Sequence, residues 1–289
     1  MTSTAFCYIL LIGDRVITMI CITGDTHGGI DMRKLSKKQL KRSGLTLTEG
    51  DYVIITGDFG FPFSPDEIQG YETPGVRNEY TWWIDWFSKL PYKVLFVDGN
   101  HDNHEWWSGQ PVTEMFGGRV QVHPHASNVI HLMRGEVYTI EGKTYFTFGG
   151  AASVDKAFRT EGYSWWSSEE ATFEQTERAL ESLERAGNRV DYIITHTLPE
   201  TVLREVPRFS YKIYPCRTSA FLDTVLERVE YDKWFCGHFH IDMEIAQRRM
   251  FVLYNTVHAL DDFDRILKEG ATLYTIYKHE KDKTQEDNR

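Results

Sequence analysis

Seven side chains able to bind a divalent cation fall in five short polar clusters, each at the end of an apolar run. They are Asp25 and His27 in Gly24-Asp25-Thr26-His27-Gly28, Asp58 in Gly57-Asp58, and Asn100 in Gly99-Asn100-His101-Asp102. His196 follows in Thr195-His196, then His238 and His240 in Gly237-His238-Phe239-His240. Two Asp, one Asn and four His could close around a pair of divalent metals. In-line phosphoryl chemistry clamped between two metals needs such a set.

Each cluster has a reason to work and a plainer alternative. Asp25 and His27 are two residues apart, and on an extended strand end alternate side chains point the same way, so both can reach one ion. Alone, a D-x-H sequence is equally a turn. Asp58 closes the run Tyr-Val-Ile-Ile-Thr-Gly-Asp. Its two carboxylate oxygens make it the candidate to bridge two cations, although aspartates also cap helices and turns. Asn100 would ligate through a neutral carbonyl oxygen and leave His101 beside it free for acid–base work. Imidazoles such as His196, His238 and His240 suit zinc, iron, manganese or nickel. A single strand-end histidine is commonly structural; five clusters in this order point jointly to metal.

The order D-x-H, G-D, G-N-H-D, H, G-H-x-H resembles the calcineurin-like metallophosphoesterase superfamily, over residues 24 to 240. The resemblance implies one metal held by Asp25, His27, Asp58 and His240 and a second held by Asp58, Asn100, His196 and His238. It further implies that His101 protonates the leaving oxygen or steadies the transition state. The cofactors would be two divalent ions, from among Mn, Fe, Zn, Ni and Mg. They bring +4 against −2 from two aspartates, so the site would stay positive with a bridging hydroxide and attract a phosphate ester while activating water. Attack would be direct: the chain has neither a G-x-S-x-G nucleophile elbow nor a phosphate-binding P-loop. One departure stands out. The family's second motif usually continues G-D-x-x-D or E, and here Phe61 occupies the place of that acid. This argues against a Ser/Thr protein phosphatase and leaves Asp102 or a backbone carbonyl to orient His101.

The segments that must position these clusters read as follows. Buried strands are expected at 17–23, 52–56, 93–97, 192–195 and 234–236, and helices at 34–43, 78–89, 169–186 and 218–229. Two or three short antiparallel strands are expected over 128–148, with a turn at Glu141-Gly142-Lys143, and closing strands at 243–247, 250–255 and 271–277. Early strand–helix alternation followed by antiparallel strands predicts an α/β (α+β mixed) fold, two packed mixed β-sheets flanked by helices in a four-layer αββα sandwich. The resemblance implies the same architecture. Residues 19–277 would form the phosphoesterase domain, 1–18 an N-terminal extension or edge strand, and 278–289 a polar, disordered tail.

Substrate contacts are sought near these loops. The glycine-rich stretch from Gly149 to Lys156, with Arg159 just beyond it, could touch phosphate through Lys156 and Arg159. Phe59, Phe61, Phe63, Trp106, Trp107, Trp165 and Trp166 could wall a pocket or simply pack the core. The chain of 289 residues has a net charge of −10 and 41% hydrophobic residues. An acidic chain is a poor generic binder of nucleic acid backbone, and the apolar run at 5–12 is too short to span a membrane. Cys7, Cys21, Cys216 and Cys236 show no paired spacing, consistent with reduced thiols in a cytoplasmic protein. The expectation is a cytoplasmic, dinuclear metal-dependent hydrolase of a small phosphomonoester or phosphodiester. Its rivals are a nuclease and a metal-binding interaction scaffold without catalysis.

Overall fold

The computed structural model describes residues 18–73, 75, 77–209, 214–269 and 273. The expectations for 1–17, 278–289 and nearly all of the 271–277 strand lie outside them.

Thirteen described strands form two sheets. The first runs β13 (His258–Ala259), β1 (Ile20–Thr23), β2 (Tyr52–Ile55), β3 (Lys93–Phe96), β6 (Val129–Leu132), β5 (Gly118–Val122) and β4 (Val112–Met115). The second runs β11 (Met243–Ile245), β12 (Met250–Val252), β10 (Glu230–Cys236), β9 (Arg189–Thr195), β8 (Lys143–Phe148) and β7 (Glu136–Ile140). In each sheet four central strands are parallel and the outer ones antiparallel. Parallel strands covered on both faces must be apolar on both, which is why Ile-Cys-Ile-Thr and Tyr-Val-Ile-Ile read as unbroken runs.

Alternation along each strand sorts those side chains into layers. Ile22, Ile54 and Leu95 of the first sheet meet Tyr145, Ile194 and Phe235 of the second in the central core. On the outer face of the first sheet, Val53, Ile55 and Phe96 pack with Leu40 of α1 (Lys37–Arg42) and with Ile84 and Phe87 of α3 (Glu79–Phe87). On the outer face of the second, Phe146, Ile193 and Trp234 pack with Leu183 of α5 (Phe173–Arg185) and Leu222 of α7 (Arg217–Arg228). The result is the expected four-layer sandwich of helices, two mixed sheets and helices.

Some boundaries shift for local reasons. The helix expected at 34–43 starts at Lys37, because Ser36 caps it and residues 32–35 form a 3-10 turn. The helix expected at 169–186 starts at Phe173, behind a Thr172–Gln175 capping box. The stretch 128–148 is not one antiparallel unit. β6 pairs parallel with β3 in the first sheet, while β7 and β8 form a hairpin in the second, so the chain changes sheets over residues 133–135. Short α2 (Pro65–Glu72), α4 (His104–Ser108), α6 (Glu200–Glu205) and α8 (Asp262–Glu269), with the β4–β5 hairpin, were not foreseen. Among the described residues no helix is long and apolar enough to cross a membrane.

Candidate metal centre

All five clusters lie just beyond the carboxyl ends of central parallel strands: β1, β2 and β3 in one sheet, β9 and β10 in the other. This is the edge where α/β folds gather ligand-binding loops. Backbone bonds lace the loops together. Thr26 and His27 donate to Asp58 O at 3.0 and 2.8 Å, and His101 N donates to Asp58 Oδ1 at 2.7 Å. His238 N donates to Asp25 Oδ1 at 3.0 Å. Glycine permits this closeness: a Cβ on Gly57 would stand 2.0 Å from His196 Nδ1, and one on Gly99 2.0 Å from Asp58 Oδ1. Four of the candidate ligands, His27, Asp58, His238 and His240, have left-handed φ of 43°, 47°, 69° and 52°.

The first expected ligand set comes together. Asp25, His27, Asp58 and His240 each offer an atom lying within 4.8 Å of the others. His27 Nε2 and Asp58 Oδ2 approach to 3.2 Å, yet both are buried without a hydrogen bond. Buried atoms of this kind, paired by charge but without a hydrogen bond in a set of carboxylates and imidazoles, are what a borderline divalent cation would satisfy. The second set gathers around Asp58 as well. His196 Nε2 lies 3.3 Å from Asp58 Oδ1 and 3.1 Å from Asn100 Oδ1. The His238 ring is 5.0 Å from that of His196.

A surrounding shell orients these groups and was not visible in the sequence. His27 Nδ1 bonds Asp31 Oδ2 at 2.8 Å, and Tyr254 donates its hydroxyl to the same oxygen at 3.1 Å. His196 Nδ1 bonds Thr56 O at 2.9 Å. Both contacts leave Nε2 as the nitrogen that could face a metal. Asn100 donates its amide to Ser153 Oγ, which in turn donates to Glu169, so the Asn100 carbonyl oxygen faces the site. Buried Lys34 donates to the carbonyls of Asp25 and Tyr254.

Charge in the protein alone is balanced by protons. Burial draws His27 and His196 down, but Asp58 and Asp25 outweigh it and lift them to about 9 and about 10. Burial, reinforced by His196, takes His238 down to about 3. Burial also lowers His101; Asp58 opposes this and the Arg159 guanidinium adds to it.

Two expectations need correcting. Asp102 does not orient His101. It is fully buried, its oxygens held by Gly60 N at 2.6 Å and Gly99 N at 2.7 Å, so it ties two ligand loops together. What touches His101 is Arg159, with Nη1 at 3.1 Å from Nδ1, itself fixed by Asp155 and the Ser164 carbonyl. Phe61 is 2% exposed and packs among Phe59, Tyr80 and Trp83. It contributes an edge to a cavity wall rather than a free stacking face. Lys156 is exposed, 5.8 Å from the Trp165 ring centre. Trp107 and Trp166 are buried, and Phe63 lies 6.3 Å from the His101 ring. Cys21, Cys216 and Cys236 are free thiols.

A cavity of about 460 Å³ opens from His27, His101 and His240 and runs between Gly28–Asp31 and Phe61–Phe63.

The family model described as calcineurin-like phosphoesterase matches residues 18–242. No curated protein sequence matches the chain. Among solved structures, a putative 5'-nucleotidase from Staphylococcus aureus is 14% identical, with 82% of this chain and 48% of that chain covered and a TM-score of 0.40. The phosphopantetheinyl hydrolase of Mycobacterium tuberculosis is 15% identical, with 86% and 92% covered and a TM-score of 0.38.

Proposed function

The chain belongs to the calcineurin-like phosphoesterase family, and on that premise we propose that it hydrolyses a small phosphomonoester or phosphodiester by direct attack of water on phosphorus. The observation that carries this reading is the pair of buried, unbonded atoms His27 Nε2 and Asp58 Oδ2, inside a four-residue donor set. Asp25, His27, Asp58 and His240 would hold one divalent ion, and Asp58, Asn100, His196 and His238 a second. Such ions, when bound, lower the pKa of water and offset phosphate charge.

The chain's own groups supply the rest. Asp58 belongs to both donor sets and would be shared between the ions they hold. His101 lines the cavity and would protonate the leaving oxygen or steady the transition state. Arg159 contacts the His101 ring and would bind a phosphate oxygen there. Lys156 belongs to the same loop and is a weaker contributor. The three free thiols favour a reducing, cytoplasmic setting.

The test is turnover of aryl and alkyl phosphate esters with Mn, Fe, Zn, Ni and Mg in turn. His101→Ala should lower turnover by roughly 10²–10⁴-fold with metal content intact, least for activated aryl leaving groups. Equal losses on activated and poor leaving groups would remove the proton-donor role.

A further inference from the structure

The cavity beside the centre has two chemically opposite ends. At one stand His27, His101 and His240, with Arg159 behind His101 and the Asp31 carboxylate neutralised by its bond to His27. At the other stand Glu67 and Glu79, with no Lys or Arg among the residues lining the cavity. Between them the wall is apolar: the edge of Phe61, the ring of Phe63, the exposed side chain of Ile30, and Tyr254 stacked on His240 at 4.7 Å.

The two acids are held in place. Glu67 Oε2 accepts from Phe63 N at 2.7 Å, and Glu79 Oε1 accepts from the Trp83 indole at 3.2 Å. Glu79 lies so close to the Gly29 backbone that a Cβ there would come within 2.0 Å of its Oε1. Burial raises the Glu67 carboxyl, and the Glu79 charge adds to that rise, so the two carboxylates repel each other. A cation between them relieves this repulsion, and a second anion worsens it.

We propose that this cavity is the leaving-group subsite, and that it selects phosphoesters of alcohols carrying an apolar body with a cationic group. This rests on the phosphoesterase reading above and names its substrate class. Phosphate sits at the histidine and Arg159 end, the apolar body against Phe63, Ile30 and Tyr254, and the cation between Glu67 and Glu79. Alcohols bearing a further phosphate or carboxylate are disfavoured, which sets the site against polyanionic strands.

The test is a matched series: 4-(aminomethyl)phenyl phosphate, phenyl phosphate and 4-(carboxymethyl)phenyl phosphate, assayed with the metal-loaded protein. The expected kcat/KM falls in that order, with amine over carboxylate by about tenfold or more. In Glu79→Gln, and further in Glu67→Gln/Glu79→Gln, the ratio should collapse toward one. Because it is taken within each variant, a general loss of activity does not affect it. A wild-type ratio near one, or a ratio unchanged in the double variant, overturns the proposal. If neither phenyl phosphate nor a phenyl phosphodiester is hydrolysed with any metal, the phosphoesterase reading fails by itself. The subsite is then judged by calorimetric binding of the amine and carboxylate esters: tighter amine binding that Glu79→Gln abolishes upholds it, and equal binding refutes it.

Discussion

Two buried acid–histidine clusters begin two residues apart, at Asp98 and at Asn100, and are balanced in opposite ways. Asp98 receives Arg134 Nε at 2.8 Å, with Arg134 Nη2 on the same oxygen, and His131 Nε2 at 3.2 Å. Burial would raise its pKa, but Arg134, His131 and His104 hold it well below the usual carboxylate range. Around Asn100, by contrast, Asp25 and Asp58 form ion pairs only with histidines among the described residues. The nearby lysine, Lys34, is turned to carbonyl oxygens. The first cluster brings its own permanent cation and acts as a joint between sheets. The second leaves its carboxylates to histidines, whose protons a metal could displace. Both bury their carboxylates and draw on the same residue types, so the counter-charge is what separates structure from chemistry.

The sharpest way to break this contrast is at Asp58. Asp58→Asn should empty both metal positions and lower turnover by about 10³-fold, because it removes several kcal/mol of charge stabilisation. Elemental analysis showing a full two-metal load in that variant would end the bridging assignment. The mirror experiment is Arg134→Met. It strands Asp98 as an uncompensated buried charge and should cost about 3–5 kcal/mol of stability in denaturant unfolding. A loss below about 1 kcal/mol would mean that Asp98 does not depend on its guanidinium.

Smaller effects should follow in the supporting shell. Asp31→Asn weakens the hold on His27 Nδ1 and should reduce metal affinity by about 10–100-fold while leaving the melting temperature nearly unchanged. A competition assay with a chelating dye would read this directly, and unaltered affinity would show that Asp31 is dispensable. Last is pH. Metal requires neutral imidazoles, and in the metal-free protein His27 and His196 carry protons up to about 9 and about 10. Apparent affinity should therefore weaken as pH falls from 9 to 7, by about tenfold per unit for each proton displaced. Calorimetry in buffers of different ionisation enthalpy counts those protons, and release of none would contradict the balance described here.

The candidate ligand set was legible as a set of clusters because each member follows an apolar strand whose run of Ile, Val or Phe is itself visible. The sandwich was legible for the same reason, since continuous runs signal strands buried on both faces. What supports the ligands was not. Tyr254 reaches Asp31 across 223 positions, and Arg134 reaches Asp98 across 36. Neither pair has a local pattern, because packing of remote segments creates it. Arg159 was visible as a residue, but its contact with His101 depends on a loop held by Asp155 and Ser164. The change of sheet over 133–135 was hidden too, since β6 and β7 each look like ordinary strands until their partners are known.

The left-handed backbone at His27, Asp58, His238 and His240 bears on how this sequence tolerates change. Glycine would hold the same conformation with less strain than a histidine, while Asp58 is itself of a type that adopts it readily. A lineage selected only for robustness would thus drift toward glycine at the three histidines. A redesign guided by backbone preference alone would make the same replacements and return a tougher protein with a depleted donor set. At these positions folding and chemistry compete for one choice of residue, and the histidines mark where chemistry has prevailed.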